Sequence, residues 1–346
     1  MSRSRKSTPA GLFWIDKPAG PTSHDVVDWV RWALRSSQVG HCGTLDPAAT
    51  GLLVVCVGAA TKLAPLFTGV GKGYRATFVL GQSTTTADGE GDVVDEQPCS
   101  AQVERGVVAH LEAMVGPLSL PPPAFSAVHV DGERAHERAR RGEAVTLPDR
   151  PMTVHSISDV EVGELQPNGL LSVGATFAVS KGTYIRSLAV ELGRRAGVPA
   201  HMSQLRRLSS GSASLDDPRV VGPLTAASLG PAPGGKGTRW RIRPKASPDA
   251  DRETQGEWLA DQRLPPATGL PIPVIRLSRD NSDANALVAR LGHGQAASAS
   301  DPGWAGEPPA QHAVIVSTTP PDRDDTLIVV EHTEGAVRPK RVVTPA

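Results

Sequence analysis

The sequence predicts an α+β chain: a mixed, largely antiparallel sheet wrapped by helices and loops, followed by a small β-rich carboxy-terminal domain. Three observations predict it. Strand and helix patterns alternate without the regular βαβ repeat of a parallel sheet. A Pro-Asn-Gly turn at 167–169 joins two strand-like runs into a hairpin. Near Gly230 the chain turns polar and Pro/Gly-rich, and two further strand signals follow.

Gly11 to Ile15 reads as a strand, ended by Pro18 and Pro21, and Thr22 or Ser23 caps a helix that carries Val26, Val30, Ala33 and Leu34 on one face. GHCGTLDPAATG, residues 40–51, reads as a rigid loop leading into the buried strand LLVVCV. Residues 73–81 alternate, with Tyr74, Ala76, Phe78 and Leu80 on one face, and a helix follows at about 102–115. LPPPAFSAVHVDGERAHERARRG gives a Pro-rich entry, a strand, a turn at Asp131-Gly132 and a basic helix. Residues 152–162 and 170–179 form the hairpin, SKGTYIRS follows, and Leu188 to Ala196 is helical. Residues 1–10 are expected to be disordered, 11–229 to form the main domain, 230–268 a linker or insertion, and 269–346 the small β-rich domain.

Composition narrows the function. Lys plus Arg and Asp plus Glu number 36 each, so the chain is not a polybasic binder, and charge must act locally. Three cysteines without C-x-x-C spacing indicate neither a disulfide framework nor a zinc site. No signal peptide or membrane-length apolar run is present, which leads us to expect a cytoplasmic protein. TGVGKGY lacks the Ser or Thr of a phosphate-binding P-loop, and His136-Glu137 has Arg140 where a second zinc ligand is needed.

Asp46 stands out among the carboxylates. Pro47 pushes it out of the helical region and Gly43 and Gly51 pin its loop, so stiff backbone presents the side chain. Read singly, Asp46 is an Asp-Pro turn residue, Arg186 a helix-entry cation with a solvated head, and Tyr74 a core aromatic.

Together these residues lie in motifs that resemble the TruB family of tRNA pseudouridine synthases. The matching stretches run in order through residues 11–215: GLFWIDKPAGPTSHDVV, VGHCGTLDPAATGLLVVCVGAATKL, KGYRATFVLGQSTTTADGEG, PPPAFSAV, SKGTYIRSLAVELG and LRRL. The resemblance implies a mixed-sheet catalytic core, a carboxy-terminal domain like the PUA module, and conversion of uridine 55 in the T arm of tRNA to pseudouridine. It implies a monomer with no metal or organic cofactor and no membrane partner. By position, Asp46 matches the family's catalytic aspartate, Tyr74 the tyrosine packed on the target base, and Arg186 the arginine paired with the aspartate. Leu205 matches a pocket-lining residue, and His41 the histidine that enters the T loop. Lys17 and Pro18 match the motif supporting the catalytic loop, and Asp88 an acidic residue near the flipped nucleotides. His129, His136 and Cys42 stand where the family usually has Lys, Tyr and Thr, a departure that touches the RNA-facing surface near 125–141. The alternative function, a non-catalytic tRNA-binding folding chaperone, needs none of the trio Asp46, Tyr74 and Arg186. GKGTRWRIRPK at 235–245 sets five cations around Trp240 without an acid, and reads either as a solvated linker or as an auxiliary RNA-binding strip.

Overall fold

The computed structural model describes residues 9–126, 128–130, 132–143, 145–232, 237–278, 280–304, 311–317, 326–333 and 335–343. Most of the amino-terminal stretch expected to be disordered, and Lys236 of the basic strip, lie outside them. The described residues fall into two compact units. One comprises those of Met1–Pro47, Gly51–Val70 and Ser210–Ala346, the other Ala48–Thr50 and Gly71–Ser209.

In the first unit the strand Gly11–Lys17 pairs antiparallel with Thr50–Val57, Leu12 opposite Cys56 and Ile15 opposite Leu53. The short strand Val39–His41 also pairs antiparallel with it, His41 opposite Val55. Between them runs the helix Ser23–Leu34. Thr22 caps it in a reciprocal box, its hydroxyl accepting from the Asp25 amide at 3.1 Å while the Asp25 carboxylate accepts from the Thr22 amide at 2.7 Å. Phe13, Ile15, Val26, Val30, Leu53 and Val55 close one apolar core between helix and strands.

Within 230–268, where a linker or insertion is expected, the described residues include regular structure. Leu224–Pro231 and Thr238–Pro244 form an antiparallel hairpin, and Arg252–Asp261 is a helix capped by Asp251, whose carboxylate accepts from the Thr254 amide at 2.8 Å. That helix packs on Ser23–Leu34 through polar and apolar contacts. Buried Gln255 accepts from the Trp29 indole N–H at 3.2 Å and donates to the Ala250 carbonyl at 2.7 Å. A Cβ on Gly256 would sit 2.6 Å from the Ala33 carbonyl oxygen, so only glycine permits the close approach. Leu259 supplies the apolar anchor.

The carboxy-terminal residues form a five-stranded sheet in the order Val274–Ser278, Gln311–Ser317, Leu327–Thr333, Ala336–Val343, Ala297–Ser298. Its first pair is parallel and the others are antiparallel, and the helix Ser282–Gly292 closes a separate small core against it. Leu327, Val329 and Val343 share a second core with Leu12, Trp14 and Leu52, so this module is part of the first unit. The Cys42 and Cys56 sulfurs lie 3.3 Å apart inside that core, and the shared hydrogen bond and burial push the Cys56 thiol far up, away from thiolate chemistry.

In the second unit the strand order is Ala200–Ser210, Lys72–Leu80, Leu171–Val179, Arg150–Val162, Gly116–Leu120. Leu171–Val179 pairs antiparallel with both of its neighbours, and Arg150–Val162 with Gly116–Leu120. The expected hairpin turn is present, with Gly169 at φ 80°. Phe78 and Phe177 stack across the sheet with centroids 5.4 Å apart. The helices Ala101–Glu112 and Ile185–Ala196 pack together, and Arg195 donates to the Ala113 carbonyl at 2.8 Å. Buried Glu191 is held below the usual carboxylate range by Arg194 and then Arg195.

Candidate active site

Asp46 is bracketed by residues whose backbones are clamped. On its amino-terminal side buried Leu45 is held at both polar groups by one hydroxyl. The Ser23 Oγ accepts from the Leu45 amide at 2.8 Å and donates to the Leu45 carbonyl at 3.1 Å. On the other side the Pro47 carbonyl accepts from the Lys17 Nζ at 3.0 Å and from the Gly20 amide at 2.9 Å. Lys17 is fully buried, and its ammonium also donates to the Pro18 carbonyl at 3.0 Å. A buried cation is tolerated only where hydrogen bonds replace its water, and here they tie one end of the loop to the strand Gly11–Lys17. Gly43 and Gly51 sit at φ 113° and 101°, which L side chains rarely adopt, so the loop turns at the two glycines expected to pin it.

All three clamps come from one sequence stretch, DKPAGPTS. Gly20 has φ 103°, and a Cβ there would sit 2.5 Å from the Trp240 ring, so Trp240 of the 238–244 strand seals the turn that reaches Pro47. Asp46 itself is half-buried. Ser23→Ala leaves both polar groups of buried Leu45 unpaired, at a cost of about 1–3 kcal/mol. We expect the variant to melt lower and to turn over at least about tenfold more slowly, with RNA affinity nearly unchanged, because it loosens the carboxylate rather than a binding contact. Thermal melts and single-turnover rates check this.

His41 is half-buried at the end of its strand, and its neighbour Cys42 continues the pairing, the Cys42 amide donating to the Val54 carbonyl at 2.8 Å. Pro18 is half-buried beside Lys17.

In the second unit Tyr74 is buried on the strand Lys72–Leu80, opposite Phe177. Leu205 is half-buried on Ala200–Ser210. Arg186 enters on the first turn of Ile185–Ala196, placed there by a turn in which the Thr183 hydroxyl donates to the Ser180 carbonyl at 3.0 Å. The solvated head that Arg186 suggests when read singly is corrected: the side chain is only 7 % exposed. Its Nη1 lies 3.4 Å from the Asp88 carboxylate and donates to the Thr86 carbonyl at 3.1 Å, while Nη2 donates to the Phe125 carbonyl at 3.0 Å.

Asp88 is a hub of this network. Besides Arg186 it accepts from the Thr86 hydroxyl at 2.5 Å and the Glu90 amide at 3.1 Å, which closes the compact loop 84–92. The anchors that the sequence reading missed, Ser23, Gly20, Trp240, Thr86 and Phe125, act mainly through backbone groups or ring packing. His129 and His136 lie on or beside the small hairpin His129–Val130/Glu133–Arg134, and their side chains are outside the described set. Among the described residues no group of three or more His, Cys, Asp and Glu could hold a metal ion, and no helix is long and apolar enough to cross a membrane.

Residues 31–185 match the model of the TruB family pseudouridylate synthase N-terminal domain. A relative named tRNA pseudouridine synthase B from Arthrobacter sp. (strain FB24) is 42 % identical over 215 residues, 62 % of this chain and 70 % of that one. One of the same name from Thermobifida fusca (strain YX) is 38 % identical over 284 residues, 80 % of this chain and 97 % of that one. This chain belongs to the TruB family. The likeness to the solved Cbf5-Nop10-Gar1 complex shows the shared fold, with a TM-score of 0.60 at 24 % identity, covering 96 % of this chain and 84 % of that one.

Proposed function

We propose that this TruB-family chain is a tRNA pseudouridine synthase acting on uridine 55 of the T arm. The observation that carries the reading is the clamped Asp46 loop, in a chain 42 % and 38 % identical over the matched residues to relatives named tRNA pseudouridine synthase B. The reaction breaks the C1′–N1 bond, turns the detached uracil, joins C1′ to C5, and releases the C5 proton while N1 gains one. No water attacks, so one carboxylate suffices, unlike the pair a glycoside hydrolase needs.

In this proposal Asp46 is the carboxylate that meets the ribose. Attack on C1′ and removal of the C2′ proton both require one ionised oxygen held still. In the same proposal Arg186 is the arginine that pairs with the aspartate, and its own plane is fixed by Asp88, Thr86 and Phe125. Tyr74 stacks on the uracil, Leu205 lines the pocket, and His41 enters the T loop. Extruding a stacked uridine costs a few kcal/mol, and stacking on Tyr74, worth about 1–3 kcal/mol, offsets much of it. The reading includes a monomer in the cytoplasm, with residues 11–229 supplying catalysis and the carboxy-terminal PUA-like module assisting RNA binding. A non-catalytic chaperone would have no use for a carboxylate clamped on both sides.

An unmodified T-arm stem-loop carrying tritium at C5 of its uridines tests this. One equivalent of tritium should be released per stem-loop, and release that does not exceed background contradicts the proposal.

A further inference from the structure

The hairpin Leu224–Pro231/Thr238–Pro244 has two unlike faces. Trp240, Ile242 and Pro244 point one way, where Ile242 is buried in the core with the helix Ser23–Leu34. Arg239, Arg241 and Arg243 alternate with them, and exposed Lys245 follows in the turn one residue past the strand. Side chains two residues apart on one strand face stand about 6.8 Å apart, so the cations form a ladder rather than a cluster. Thr225 and Ala227, the neighbours opposite Arg243 and Arg241, are uncharged, and residues 223–247 contain no Asp or Glu.

Beside this ladder a groove of about 440 Å³ lies between the hairpin and the helix Ser23–Leu34, with Trp29, Trp32 and Leu229 among its walls. Two acids also line it and both are engaged: Asp25 in the helix cap, Asp28 with Arg31 at 2.9 Å and His24 at 3.7 Å. Trp32 is 38 % exposed, and the guanidinium carbons of Arg243 and Arg252 each lie 5.5 Å from its ring centre. Exposed indole, guanidinia and a regular row of cations is the combination that holds a nucleic-acid backbone, with rings for bases and cations for phosphates.

We propose that the outer face of this hairpin is a second binding surface for the phosphate backbone of the substrate RNA, separate from the Asp46 loop. It rests on the RNA-modifying reading above, and it gives a chain with no net charge a local field for a polyanion. Arg239, Arg241 and Lys245 are exposed, so they are the cations to change. Arg243 stays, because it packs by Trp32 and donates to the Ala250 carbonyl at 3.0 Å.

The test measures binding of an unmodified tRNA transcript across a salt series for the parent, the Arg239→Ser/Arg241→Ser/Lys245→Ser variant, and Arg239→Lys/Arg241→Lys. The slope of log affinity against log salt should shallow by about 0.9 per lost phosphate contact, hence by roughly 2–3 in the triple variant. The double Lys variant should keep the parent slope. Turnover at saturating RNA should be unchanged, since these side chains lie on the face opposite Trp240. A triple variant with the parent's slope overturns the proposal. If instead the parent binds RNA and forms no pseudouridine, the catalytic reading fails, while the slopes still report on the ladder.

Discussion

Asp46→Asn is expected to abolish pseudouridine formation while leaving the fold intact and RNA affinity within a few-fold of the parent's. The amide has the carboxylate's shape, and the clamps around it use the backbone of Leu45 and Pro47 together with Ser23, Lys17 and Gly20. What the variant loses is the ionised oxygen, so the loss belongs in the chemical step rather than in binding. Single-turnover measurement at saturating RNA checks this, and a rate above about one-hundredth of the parent's would remove Asp46 as the essential group.

Arg186→Met is expected to cost stability and activity together. It removes the ion-pair partner of the nearly buried Asp88 carboxylate, which keeps only its bonds from the Thr86 hydroxyl and the Glu90 amide, and the guanidinium donors to the carbonyls of Thr86 and Phe125; breaking a buried pair costs about 3–5 kcal/mol. Arg186→Lys keeps the charge but places one ammonium where a planar fork spans three groups, so it should melt closer to the parent and still turn over slowly. Asp88→Asn separates the two effects: it removes the ion pair, retains a side-chain oxygen for Thr86 and the Glu90 amide, and should lower stability more than rate. Melting curves and single-turnover rates on all three distinguish these outcomes. Parent-like rates in both Arg186 variants would dissociate Arg186 from the chemistry.

The sequence makes some parts of this molecule plain and hides others for physical reasons. The helix cap at Thr22 or Ser23, the alternation of 73–81 and the turn at 167–169 follow local rules, and each element forms where its pattern predicts, with Thr22 as the cap. The 238–244 strand escapes notice because cations hold its outer positions and leave only Trp240 and Ile242 as apolar signal. The 252–261 helix escapes it because its contact face is built from Gln255 and Gly256 as much as Leu259, so hydrophobic periodicity is nearly absent. At the site the pinning glycines 43 and 51 are legible. Lys17 is singled out only through the resemblance, and the groups it, Ser23 and Arg186 reach are not legible, because they are mostly backbone carbonyls and any residue supplies a carbonyl.

The most direct test of the central claim is position-resolved mapping of pseudouridine in an unmodified tRNA transcript after incubation with the parent protein and with Asp46→Asn. One new pseudouridine, at position 55, is expected with the parent, and an unchanged uridine there with the variant. An unmodified position 55 with the parent, or modification that persists with Asp46→Asn, would contradict the claim.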